Sequence, residues 1–146
     1  MILLALAIVD AGCGQQSPSA AVAKQTLTPD LIGTATLSEA ACDVTIPDTV
    51  SPRIVRVGLV NKTKYLGRYI LIAIYYGHTV KELVDYWDSG KKPDFVNDIS
   101  LVDVPMQSSG EMTTPIAAGT YAFHCGYPMG DKAVGFFHGP IEARTT

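Results

Sequence analysis

The chain has 146 residues, of which 47% are hydrophobic, 17% charged and 8% aromatic, with a formal net charge of −3. The length suits one domain, and the apolar share excludes wholesale disorder. The acidic balance argues against a protein built to neutralise nucleic-acid phosphate, so no nucleic-acid partner is expected. The 13 glycines and 9 prolines are scattered rather than periodic, which suits many turns and few long helices.

Residues 2–9 are eight consecutive apolar residues, ILLALAIV. A spanning helix needs about 20, so this is the length of a signal-peptide hydrophobic region rather than of a transmembrane segment. Ala11 and Gly12 then precede Cys13. This pattern resembles a bacterial lipoprotein signal. The resemblance implies a signal peptide over 1–12, lipid attachment at Cys13, and residence on the periplasmic or outer face of a bacterial membrane. The same residues read without it are an N-terminal strand or short helix. The stretch GQQSPSAAVA that follows is polar, small and aperiodic, as in a flexible tether. A tether over 13–28 reaches at most about 50 Å when fully extended. The folded domain is expected over 29–146.

Within it, Cys42, Val44 and Ile46 alternate with Asp43 and Thr45, the period of a half-buried strand. Pro47 and Pro52 bracket a turn. Residues 54–60 are rich in β-branched side chains and run into the polar cluster Asn61-Lys62-Thr63-Lys64, a strand followed by a turn. Residues 69–76, YILIAIYY, are apolar on both faces, and their Ile and Tyr content predicts a strand covered on both sides. A helix over about 79–89 is predicted next. Thr79 and Glu82 form a capping box, Val80, Leu83, Val84 and Trp87 fall on one face, and Gly90 and Pro93 stop it. Its apolar stripe is expected to pack over the 69–76 strand. After Pro93, residues 101–106 alternate, Ser108-Ser109-Gly110 reads as a turn, and 112–116 as an extended segment. In 121–125, Tyr121, Phe123 and Cys125 share one strand face, with Ala122 and His124 on the other. A last strand covers 134–137, with Ile141 as its extension. About seven short strands suggest an all-β antiparallel sandwich.

The order of these parts over 54–143 resembles a cupredoxin-like domain, a Greek-key β-sandwich with one short inserted helix. A strand ends at Asn61-Lys62, and a second strand and a helix-bearing insertion follow. Then come an acidic connector, Ala118-Gly119-Thr120-Tyr121, a strand ending in Cys125, and a glycine-rich loop over 126–139. The resemblance implies a copper-binding, electron-transferring or copper-handling protein. Such a site needs a thiolate, two imidazoles and usually a weak thioether. Cys125 matches the cysteine position. The stretch where the first histidine should fall reads Leu66-Gly67-Arg68-Tyr69, and the order of Met129 and His138 after Cys125 is not that of the family. The looser set Cys125, Met129 and His138 stays as the copper alternative, reachable if the glycine-rich loop folds back. His124 points away from Cys125, and His78 precedes the helix cap.

With Cys13 lipidated, Cys42 and Cys125 are an even pair in an oxidising compartment. They are expected either as a disulfide or as two separate buried thiols; the disulfide removes the thiolate that copper requires. No hydrolase elbow, phosphate-binding loop, zinc-protease motif or C-x-x-C pair occurs. Asp85 and Asp88 lie on the polar side of the helix, so no catalytic residue and no enzyme activity are expected. Charge is ordered along the chain. Arg53, Arg56, Lys62, Lys64 and Arg68 fall in a stretch without acids, and seven acids against two lysines follow from Glu82 to Glu111. The first set reads either as a partner-facing basic patch or as solvated loop charge. The function expected is that of a membrane-tethered lipoprotein whose copper-free domain makes protein–protein contact, as an accessory or structural subunit of a membrane complex.

Overall fold

A computed structural model describes residues 28–145. The signal peptide, Cys13 and nearly all of the expected tether lie outside the described residues. Nine strands and one helix follow: β1 (Asp30–Leu37), β2 (Cys42–Val44), β3 (Thr49–Val50), β4 (Arg53–Asn61), β5 (Gly67–Ile74), α1 (Val80–Asp88), β6 (Val96–Val104), β7 (Ser108–Ile116), β8 (Gly119–Met129) and β9 (Lys132–Ala143). They form a β-sandwich of a four-stranded sheet, β2-β1-β4-β7, and a five-stranded sheet, β3-β9-β8-β5-β6. The chain switches sheets between β2 and β3, β3 and β4, β4 and β5, β6 and β7, and β7 and β8, as in a Greek-key sandwich.

Alternation along each strand supplies the core. Leu37, Val55, Val57, Leu59 and Met112 of one sheet meet Tyr69, Leu71, Phe123 and Ile141 of the other in one buried cluster. The opposite face of β5 is also covered. Ile70, Ile72 and Ile74 pack with Leu83 of α1, with Phe95 and with Ala122 in a second cluster. This is why residues 69–74 read as apolar on both faces: β5 is central to its sheet, with a sheet below and a helix above. α1 begins as its sequence predicts. The Glu82 backbone N–H donates to Thr79 Oγ1 at 3.2 Å and the Thr79 N–H to Glu82 Oε2 at 2.7 Å. Gly90, just past the helix, has φ +72°, the left-handed conformation that a terminating glycine adopts at least cost.

The structure departs from the sequence reading in four places. The sandwich is not wholly antiparallel, because β1 pairs with β4 and β3 with β9 in parallel. The turn between Pro47 and Pro52 holds the short strand β3. Ser108, Ser109 and Gly110 are not a turn. They open β7 opposite Asn61, Val60 and Leu59, and the reversal falls just before them, where Gln107 has φ +52°. Lastly, the glycine-rich stretch after Cys125 is not a loop. β8 runs on to Met129 and returns at Lys132 as β9, so Gly126 and Gly135 lie within paired strands and only Gly130 sits in the turn.

Two polar devices fix the ends of the sandwich. Asn61, fully buried at the end of β4, donates from Nδ2 to the carbonyl oxygens of Tyr65 at 2.8 Å and Val104 at 3.0 Å, and its Oδ1 accepts from the Thr63 backbone N–H and hydroxyl. It ties the β4–β5 loop to β6. In the Ala118-Gly119-Thr120-Tyr121 stretch, the Tyr121 hydroxyl donates to the Ala117 carbonyl at 2.9 Å and accepts from the Ala117 N–H at 3.1 Å. The ring is thereby pinned at the start of β8, an arrangement that recurs where sandwich strands turn a corner.

Candidate functional site

Cys125 sits on the inward face of β8 and Cys42 starts β2 in the other sheet. A disulfide joins them, with Cα atoms 6.4 Å apart, so the bond spans the sandwich from sheet to sheet. Met129 lies at the hairpin end of β8, opposite Lys132, whereas His138 lies opposite Phe123. Six strand positions separate those two levels, about 20 Å at the usual rise of roughly 3.3 Å per residue. Cys125, Met129 and His138 are therefore not brought together. The fold-back on which a copper site from these three depended is blocked by the continuous β8–β9 ladder. Among the described residues no group of three or more His, Cys, Asp or Glu is placed to hold a metal ion. The residues present do not fit a blue-copper ion: the one matching sulfur is bonded to another sulfur, and it has no imidazole pair facing it.

The other sequence candidates are dispersed. His78 stacks on Phe95 with ring centroids 4.0 Å apart, and its Nδ1 is 3.4 Å from Glu82 Oε1. Asp85 is paired with Lys81 at 2.7 Å on the exposed side of α1. The cations that form an unbroken run in sequence meet acids in space: Arg53 pairs with Asp30 at 2.9 Å, Arg56 with Glu111 at 3.5 Å and Lys64 with Glu39 at 3.8 Å. Arg68 holds Asp103 with two parallel bonds, Nε to Oδ1 at 2.9 Å and Nη2 to Oδ2 at 3.0 Å. Arg68 and Asp103 are direct cross-strand partners. The guanidinium's hydrogen bonds hold the Asp103 carboxyl below its ordinary range. Lys62 lies in the loop after β4, where its carbonyl accepts from the Gln107 side chain. Arg56 and Arg68 thus meet acids of the later block, whereas Arg53 and Lys64 meet Asp30 and Glu39, which precede the basic stretch.

The residue that the sequence reading passed over is His124. It faces outward from β8, beneath α1, and is only 4% exposed. Its ring lies 4.7 Å from that of Trp87 and 4.7 Å from that of Phe137. Neither ring nitrogen has a hydrogen-bond partner. Burial pushes its pKa down to about 4, with Asp98 opposing the shift and Arg68 adding to it. Beside it Gly126 and Gly135 face each other across β8 and β9, and the imidazole rests on them: a Cβ at Gly135 would lie 2.5 Å from its Nε2 and one at Gly126 3.1 Å from its Cε1. Next to the ring is a cleft of ≈ 380 Å³ walled by Leu66, Ile70, Trp87, Pro128 and Val134, with the Arg68–Asp103 pair at one side. The sequence did carry a signal for it: a histidine alternating with core residues, two glycines inside a strand, and the chain's one tryptophan on the preceding helix. His124 and Gly126 are neighbours on β8, but Gly135 and Trp87 join them only when the strands pair and the helix packs.

No protein-family model matches this chain, and no curated protein matches it. Among solved structures it is similar to the sodium-dithionite-reduced auracyanin of the photosynthetic bacterium Roseiflexus castenholzii, with 18% identity over 67% of this chain and 84% of that one, at a TM-score of 0.41. It is also similar to auracyanin B, with 21% identity over 67% of this chain and 78% of that one, at a TM-score of 0.42.

Proposed function

We propose that this chain is a lipid-tethered protein on the periplasmic or outer face of a bacterial membrane. Its cupredoxin-like sandwich works without copper and makes protein–protein contact, as an accessory subunit of a membrane complex. The observation that supports this reading most is the Cys42–Cys125 disulfide, which occupies the sulfur that a copper centre would need as thiolate. A tether of some 15 residues suits the role, since it confines the domain near its partner and raises its effective concentration. The basic residues Arg53, Arg56, Lys64 and Arg68, each beside an acid, would orient such a contact more than strengthen it.

The test is to purify the full chain from membranes, add Cu(II), and record the visible spectrum, the metal stoichiometry and a non-reducing peptide map. The expected result is no stoichiometric copper and a Cys42–Cys125 linked peptide. An intense sulfur-to-copper band with one tightly held copper would overturn the reading in favour of a copper carrier using Cys125. In parallel, labelled fatty acid should enter the wild-type chain and not Cys13→Ser; equal labelling of both would remove the tether.

A further inference from the structure

We propose that the end of the sandwich where the chain enters β1 rests on a lipid bilayer, with Tyr75 and Tyr76 seated among the headgroups. This contact deepens the tethered role and rests on that reading for the choice of a membrane as the surface.

The first ground is a turn that presents an aromatic residue against its backbone preference. The His78 N–H donates to the Tyr75 carbonyl at 3.2 Å. Between them Tyr76 has φ +60° and Gly77 φ +76°. Two left-handed residues in succession favour Asn or Gly at both positions, so a tyrosine there is strained. Burial does not offset the strain, since Tyr76 is 88% exposed and Tyr75 42%. Their rings lie 6.1 Å apart, and the turn thus holds a pair of aromatic side chains open to solvent. Strain kept at an exposed aromatic pair points to a contact with something outside the domain.

The second ground is position. β4 leaves this end at Arg53, crosses to the opposite end at Asn61, and β5 returns from there to Ile74. β7 likewise arrives at Ile116 and β8 departs at Gly119. β1 runs parallel to β4, with Asp30 beside Val55. The chain therefore enters the domain at the end that carries Tyr75 and Tyr76. A lipid at Cys13 would hold this end towards the membrane, and the hairpin between Met129 and Lys132 away from it.

The third ground is chemistry. Tyrosine has an apolar ring and a hydroxyl that stays wet, which suits the headgroup level of a bilayer. Ile54 and the Ala117-Ala118 turn are exposed at the same end. Arg53 pairs with Asp30 and Arg144 with Glu142, and Asp94 adds one acid beside Phe95. With so little positive excess, an uncharged headgroup layer is a better match than an anionic one.

The test uses the full chain purified from membranes and reconstituted in phosphatidylcholine vesicles. A fraction of the lipid carries a diazirine near its headgroup. Irradiation links that lipid to protein groups at the same depth, and peptide mapping locates them. Adducts on the 75–78 turn should exceed those on 105–108 and 128–131, at the opposite end, about tenfold. Tyr76→Gly suits the left-handed backbone, so the urea midpoint should hold or rise. Adducts on its neighbours Gly77 and His78 should nevertheless fall about tenfold, a split that a merely structural tyrosine would not give. The wild-type pattern stands whether or not that variant folds. In native membranes, Tyr75→p-benzoylphenylalanine should capture lipid. Labelled fatty acid on Cys13 is followed in the same samples. Labelled Cys13 with adducts spread evenly over both ends would leave the tether and overturn the docking. Adducts on the turn without label on Cys13 would remove the tether and support the docking. Adducts confined to the opposite end, undiminished adducts in a folded Tyr76→Gly chain, or capture of protein alone in native membranes would each overturn the proposal.

Discussion

His124 illustrates how a single side chain makes stability depend on pH. In the unfolded chain its imidazole titrates at its ordinary value near 6.5, whereas in the folded protein desolvation under α1 lowers the pKa to about 4. Above pH 6.5 the ring is neutral in both states and stability is complete. As pH falls through the window from 6.5 to 4, the unfolded chain takes up a proton that the folded one refuses. Stability then drops by about 3 kcal/mol, given 1.36 kcal/mol per pKa unit. Urea unfolding at pH 7 and at pH 4.5 should show this loss, and His124→Phe should remove most of it; an unchanged acid slope in that variant would show that another group is responsible. Asp103 is held below its usual range by its hydrogen bonds to Arg68, so it loses its contribution only at lower pH. From sequence the strand face of His124 was legible, because period-2 alternation puts it opposite Cys125. Its environment was not, since Trp87, Phe137 and Gly135 come from other elements.

At the scale of elements, α1 is the best-specified piece. The capping box, the apolar spacing and the terminal glycine are all local signals, and all three appear in the structure. What the helix does is set by Leu83, which is fully buried against β5 and Phe95. Leu83→Ala should cost about 2–5 kcal/mol, the range for emptying a buried leucine site. Urea midpoints would measure it, with Val80→Ala, at the half-buried edge of the same stripe, losing clearly less. Equal losses would mean that the helix is not anchored through Leu83. The hairpin of β8 and β9 shows the opposite case. Its glycine-rich sequence read as a loop because glycine lowers strand propensity. The ladder forms regardless, since β8 is flanked by β5 on one side and β9 on the other and buries Tyr121, Phe123 and Tyr127. Tertiary packing outweighs a propensity worth under about 1 kcal/mol per residue.

For the whole molecule, the disulfide is the main cross-link. It joins positions 83 residues apart and connects the two sheets. By the chain-entropy argument, closing a loop of that size in the unfolded state contributes about 4–5 kcal/mol. Cys42→Ala with Cys125→Ala should lower the unfolding free energy by about that amount, measured by denaturant titration under oxidising conditions. The same variants in the presence of reductant should match reduced wild type. A double variant as stable as the oxidised protein would show that the bond adds nothing to the fold. The exposed ion pairs are a smaller matter, each worth about 0–1 kcal/mol; among those of the basic stretch, Arg68–Asp103 alone joins direct cross-strand partners.

The sequence by itself determined the all-β class, the sandwich with one helix, the ends of that helix and the inward face of most strands. These follow from periodicity and capping, which act between residues a few positions apart. Only the tertiary structure decided the pairing of cysteines 83 residues apart, the separation of Met129 from His138, the parallel β1–β4 pairing, and the pairing of Arg56 and Arg68 with acids of the later block. It also decided that a histidine, two glycines and a tryptophan share one cleft. Each of these depends on strand register and sheet order, which bring together residues far apart in the chain and leave little trace in any local window.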